Sequence, residues 1–179
     1  MPTHQPRSYR SESLTMKIEL KNIKHSEFAS QETHCYQATI YIDGKKVGTV
    51  ENHGHGGCDS VHPHQVAQQI DDFAKTLPKT VCDFIDPDTG KPADIEQCHE
   101  TIFGEIVNTW LVAKDLKRAM SKRVLYLKDG EVYQTKAMAS DALKRYLSEP
   151  FLGAMYQDKT ILNLLPFDQA LTIYRGATA

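Results

Sequence analysis

Several kinds of residue are scarce in this chain, and each scarcity excludes something. Only four cysteines occur in 179 residues, at positions 35, 58, 82 and 98. None forms a C-x-x-C pair, so the familiar zinc-ribbon and thioredoxin-like spacings are absent. A chain this long can bury a core without obligatory metals or disulfides, so reduced thiols in a cytoplasm are the expectation. No apolar run approaches the roughly 18 residues of a membrane-crossing helix, and no secretory h-region opens the chain. Neither charge sign dominates: 21 Lys and Arg face 23 Asp and Glu, a formal net charge of −2. A general nucleic-acid binder needs surplus cations to displace counterions from phosphates, and the chain as a whole lacks them. The strongest local basic run is Lys114, Lys117, Arg118, Lys122 and Arg123. Its ordinary reading is a solvated helix end, where the helix dipole favours cations.

What is present is concentrated in one stretch, Asn52-His53-Gly54-His55-Gly56-Gly57-Cys58-Asp59-Ser60-Val61-His62-Pro63-His64. It holds four of the eight histidines, one of the four cysteines and three glycines. The preceding sequence reads as an antiparallel meander. Residues 16–24 alternate approximately; residues 35–42 alternate cleanly, with Tyr36, Ala38, Ile40 and Ile42 on one face. Asp43-Gly44 is a hairpin turn, and Lys46–Val50 is the returning strand. Residues 1–15 are polar and unpatterned, which predicts a flexible tail, or a second start at Met16.

Beyond the loop, Pro63 opens an amphipathic helix that buries Val66, Ala67, Ile70, Phe73, Ala74 and Leu77. Residues 83–92 read as a turn-rich connector, whose carboxylates lack the spacing of an EF-hand. A long helix is expected from Asp94 to Met120, with a stripe of Ile95, Cys98, Ile102, Ile106, Trp110, Ala113 and Leu116. Phe103, Val107, Leu111 and Val112 widen it. So broad a face points to contact on two sides, with the core or with a second copy as a homodimer through residues 94–120. Gly104 inside it costs ~1 kcal/mol against alanine and is read as a point of close packing. Residues 123–127 and 132–135 flank Asp129-Gly130 as a second hairpin. Residues 139–148 and a segment from Pro166 to about Arg175 read as helices, and 161–165 is too short to assign by period. The expected fold is α+β: an N-terminal meander packed by helices, a long central helix, and a C-terminal hairpin with short helices. Residues 16–179 are expected to form one domain, with a sub-boundary near 121.

Three kinds of chemistry suit the loop. His53, His55, Cys58, His62 and His64 are potential zinc ligands, with Asp59 or Glu51 as a base in a metal-dependent hydrolase or nuclease. Against this, their spacing fits no familiar zinc pattern, and glycine-rich loops are poor scaffolds for ligands. No cofactor is therefore expected, with zinc the exception to test. Alternatively, glycines between a strand and a helix can offer backbone N–H groups to phosphate, as in a nucleotide sponge, although the G-x-G-G pattern here is neither nucleotide fingerprint. Thirdly, Cys58 beside a histidine would make a thiol nucleophile. The plainer reading is a recognition surface made by Asn52, His53, Gly54, His55, Gly56, Gly57 and Asp59.

The pieces FASQETHCYQA and IDGKK leading into N-x-G-x-G-G, within residues 16–60, resemble small uncharacterised proteins encoded by bacteria, their prophages and other mobile elements. That group brings no established activity. The resemblance implies an accessory cytoplasmic protein that binds a host or phage macromolecule, a protein partner first, with a nucleotide or nucleic acid as alternatives and no membrane. Strand, Asp-Gly turn, strand, loop and helix also resemble the end of a double-stranded RNA-binding domain. However, the helix after the loop carries Asp71 and Asp72 where phosphate-gripping lysines would be needed, so that function is not carried over.

Overall fold

A computed structural model describes residues 16–85, 87, 89–149 and 156–178. The expected tail 1–15 lies outside the described residues. The fold is α+β, and it divides into two compact units between Ile106 and Val107.

The first unit is built on a four-stranded antiparallel sheet, β1 (Ile18–Ser26), β2 (Cys35–Ile42), β3 (Lys45–His53) and β4 (Ser60–His62), in that order. Asp43 and Gly44, at φ 49° and 77°, make the tight turn between β2 and β3. Positive φ at both positions matches the right-handed twist of the paired strands. β2 buries Tyr36, Ala38, Ile40 and Ile42, the row that its alternation predicted. β1 pairs with β2 from Ile18↔Ile42 to Lys21↔Thr39, then the register shifts before Lys24↔Gln37. Asn22 sits in that irregularity at φ 55°.

Helix α1 (His64–Ala74) follows β4 and packs against it. It buries Val66, Ala67, Ile70 and Ala74, whereas Leu77 lies past its end and is exposed. The stretch read as a connector contains a two-stranded ladder instead, β5 (Thr80–Ile85) with β6 (Pro92–Ile95), paired at Thr80↔Ile95 and Val81↔Asp94. Asp94 and Ile95 are therefore strand residues, and Ile95 is exposed rather than part of a helical stripe.

Helix α2 (His99–Met120) begins later than its periodicity predicted. Its start is set by Asp71 on α1, whose Oδ1 accepts the backbone N–H of His99 at 2.7 Å and lies 2.8 Å from His99 Nδ1. An aspartate at this position satisfies an otherwise orphaned helix amide and suits the positive end of the helix dipole. The fully buried line on α2 is Phe103, Val107 and Leu116; Ile102, Ile106, Trp110 and Ala113 are only partly buried. A Cβ at Gly104 would meet nothing within 4 Å, so close packing does not explain that glycine.

In the second unit β7 (Leu125–Lys128) pairs with β8 (Glu131–Gln134) across Asp129-Gly130, and on its other edge with β9 (Thr160–Ile161). Helix α3 (Ser140–Ser148) lies between β8 and β9 in sequence, and α4 (Phe167–Thr178) follows β9. Leu116, Leu125, Leu162 and Ala170 form one buried cluster, with Phe167, Leu171 and Tyr174 packed on it. Val124, Leu143 and Tyr156 form another. No helix among the described residues is long and apolar enough to cross a membrane.

Candidate functional site

The loop after β3 is organised around one side chain. Asn52 is the buried polar residue at the strand's end, 7% exposed. A buried amide costs free energy unless its donors and acceptor are matched, and here all are. Thr33 Oγ1 donates to Asn52 Oδ1 at 2.9 Å, and the Gly54 amide donates to the same oxygen at 2.8 Å. Asn52 Nδ2 donates to the Gly57 carbonyl and to Asp59 Oδ1, both at 2.9 Å. One amide group thus ties together both limbs of the loop and the β1–β2 connection.

A second layer closes the same knot. Tyr36, on the buried row of β2, donates its hydroxyl to Asp59 Oδ2 at 2.7 Å. Burial first, and then this bond to a carboxylate, push the Tyr36 phenol far above its ordinary range, so it stays protonated. The Asp59 amide donates to Glu100 Oε1 at 3.2 Å, which links the loop to the first turn of α2. The Gly54 carbonyl accepts the amides of Gln31 and Glu32 at 2.9 and 3.0 Å, with that of Thr33 at 3.5 Å. Gly54 has φ 84°, and a Cβ there would run into the Ala29 carbonyl oxygen, so glycine is required on two counts.

These bonds bear on each chemistry offered by the sequence. Asn52 and Gly54 are buried and Asp59 is half-buried, and all three make bonds within the loop and its supports. His53, His55, Gly56, Gly57 and Cys58 are exposed. His53 stands 3.9 Å from Glu51, and His55 Nδ1 lies 3.2 Å from Gln31 Oε1. His62 is on β4 with Ser60 Oγ 3.2 Å away, and His64 is the exposed first residue of α1. The five residues suggested as zinc ligands are thus dispersed over two strands, a loop and a helix. Among the described residues no group of three or more His, Cys, Asp or Glu could hold a metal ion.

The phosphate cradle has part of its donor set turned inward. The amides of Gly54 and Asp59 are bonded internally, and that of Gly56 lies 3.4 Å from Thr33 Oγ1. As for Cys58, its thiol bonds to Glu100, and this bond together with the carboxylate's charge raises its pKa above that of a free thiol. A nucleophilic cysteine needs the opposite.

Sequence reasoning missed four parts of the site. Thr33, Tyr36 and Glu100 act from other elements, and only Tyr36 carried a signal, since a phenol on a buried row needs a partner for its hydroxyl. The fourth is Phe28, in the β1–β2 connection that donates to Gly54; it is 99% exposed. A lone aromatic inside the polar run HSEFASQET was its only trace.

Comparison with known proteins adds no relative: no family model, curated protein or solved structure matches the chain.

Proposed function

We propose that this chain is a binding protein rather than a catalyst, and that the tip formed by the β1–β2 connection and loop 53–58 engages a protein partner. The setting its resemblance points to is a phage or mobile-element accessory factor that modulates a host macromolecule, such as a defence component. The observation that carries the reading is Phe28, a phenyl ring left 99% exposed in a connection whose residues 31–33 are pinned to the loop through the Gly54 carbonyl. Burying a phenylalanine is worth ~1.5–3 kcal/mol, and aromatic anchors on rigid supports are typical centres of binding energy. A tip already fastened by Asn52, Tyr36 and Asp59 loses little conformational freedom when it docks. His53 and His55 flank the ring's support as exposed polar contacts.

The test is capture of partners from a bacterial host lysate by wild type, by Phe28→Ala and by His53→Ala with His55→Ala. Loss of Phe28 should weaken capture of a specific protein by about tenfold or more, with the melting temperature unchanged. Equal capture by all three proteins would remove the tip from consideration.

A further inference from the structure

The formal charge is unevenly divided between the units. Residues 1–106 carry 10 Lys and Arg against 16 Asp and Glu, a net −6, while residues 107–179 carry 11 against 7, a net +4. The whole-chain value of −2 conceals a basic second unit.

Its cations converge where α2 ends. A cleft of about 480 Å3 is lined by Asp115, Arg118, Ala119, Lys122, Arg123, Gln134 and Tyr174. Three cations thus face one carboxylate. Arg118 pairs with Asp115 at 3.1 Å. Among the described residues neither Lys122 nor Arg123 has a carboxylate partner; Arg123 Nη1 instead donates to Gln134 Oε1 at 3.2 Å, which fixes its guanidinium at the cleft wall.

The cations are not spent on hydrogen bonds to the end of α2, because its last carbonyls are already satisfied. Ser121 donates its amide to the Lys117 carbonyl and its hydroxyl to that of Arg118. The amides of Lys122 and Arg123 go to Ala119, and Asn163 Nδ2 donates to the Met120 carbonyl at 3.2 Å. The Lys122 ammonium, and the guanidinium N–H groups of Arg118 and Arg123 not directed at Asp115 and Gln134, are therefore open to an external acceptor. Guanidinium and ammonium groups together match a phosphate, the former by paired N–H donors and the latter as a point charge.

We propose that this cleft binds a phosphorylated small molecule of nucleotide size. Its volume falls within the range of small-ligand sites, and Gln134 and Tyr174 offer polar and aromatic contacts beside the cations. An overall charge of −2 favours a compact ligand over a long polyanionic strand.

The experiment is calorimetric titration of the full chain at low ionic strength, in EDTA, with three probes: pyrophosphate, ATP and a mixed-sequence single-stranded oligonucleotide. Two variants accompany wild type. One combines Arg118→Gln, Lys122→Gln and Arg123→Gln; the other combines Lys144→Gln and Arg145→Gln on α3, away from the cleft lining. Circular dichroism and melting without ligand check that both fold. Pyrophosphate and ATP should bind wild type, weaken at least about tenfold in the first variant, and bind the α3 variant nearly as well as wild type. The proposal is overturned by absence of binding to wild type, by equal weakening in both folded variants, or by an oligonucleotide that binds the cleft more tightly than ATP. Should the first variant fail to fold, Lys122→Gln alone must still weaken ATP; unchanged affinity there also overturns the site.

Discussion

In the first unit Asn52 sits at the end of β3 and spends its four hydrogen bonds on Thr33, Gly54, Gly57 and Asp59. In the second, Asn163 lies in the short 3-10 turn before α4; its Oδ1 accepts the Leu125 amide at 2.7 Å, and its Nδ2 donates to the Met120 and Arg123 carbonyls at 3.2 and 2.9 Å. The side chain is the same and both amide nitrogens donate twice, although the Asn52 oxygen accepts two bonds and the Asn163 oxygen one. The difference is reach. Three of the bonds of Asn52 go to residues two to seven positions away, whereas those of Asn163 cross 38 to 43 positions. Short reach stiffens one surface loop. Long reach joins a helix end to a strand and so closes a core. A fully engaged side-chain amide can therefore serve presentation or assembly, and its sequence separation tells which.

The comparison makes its strongest claim at Gly54. Replacement with alanine puts a methyl group into the Ala29 carbonyl and strains a backbone at φ 84°. Gly54→Ala should cost about 3 kcal/mol or more by urea unfolding. A loss below about 1 kcal/mol would show that the loop is not rigidly seated.

Next come the two asparagines. Asn163→Ala should destabilise by ~2–4 kcal/mol, because it orphans a strand amide and two carbonyls. Asn52→Ala should cost ~2–3 kcal/mol and, unlike Asn163→Ala, should speed amide hydrogen exchange at Gly54. If both variants accelerate exchange over the same residues, the contrast between presentation and assembly is lost.

Tyr36→Phe is smaller, at about 1–2 kcal/mol near neutral pH, since Asp59 keeps its bond from Asn52. Its pH dependence sharpens the point. The folded phenol titrates above the unfolded one, so its stabilising effect is complete below pH ~10 and is lost as pH rises beyond that value. Wild type should therefore lose stability more steeply than Tyr36→Phe above pH ~10, and identical slopes would show that the Tyr36–Asp59 bond contributes nothing. Tyr156 is also raised, to about 12, so the variant retains part of the dependence.

The smallest expected effect is at Gly57, where a Cβ would meet nothing within 4 Å. Gly57→Ala should change stability by less than ~0.5 kcal/mol. A large loss would mean that the outer limb of the loop is as constrained as the inner one.

Much of the fold was legible because its signals are local. Both Asp-Gly turns, the β2 alternation and the α1 face rest on residues within one or two turns of each other. The β5–β6 ladder was hidden because Asp86-Pro87 and Pro92 resemble a connector, and because it pairs residues about 15 apart in its outer rung. The start of α2 was misplaced for a related reason: its amide is satisfied by Asp71, 28 positions upstream, which no local capping rule can find. The loop's importance was visible in its glycines and histidines, but its logic was not. Asn52, Gly54 and Asp59 were grouped with His53 and His55 as one surface, although the first three face inward. Their partners Thr33, Tyr36 and Glu100 come from distant positions, and spacing alone does not separate a fastener from what it holds.

The break in register at Asn22 has a consequence for the company this protein keeps with itself. β1 is an outer strand of its sheet among the described residues, and a long, flat outer strand is a template on which identical chains polymerise. Here the pairing shifts after Lys21, and the backbone turns left-handed at Asn22. A second molecule laid along β1 would find no uninterrupted ladder, and it would meet Lys17, Lys21 and Lys24 on the way. One residue in an uncommon conformation thus interrupts the ladder that a second copy would need along this edge.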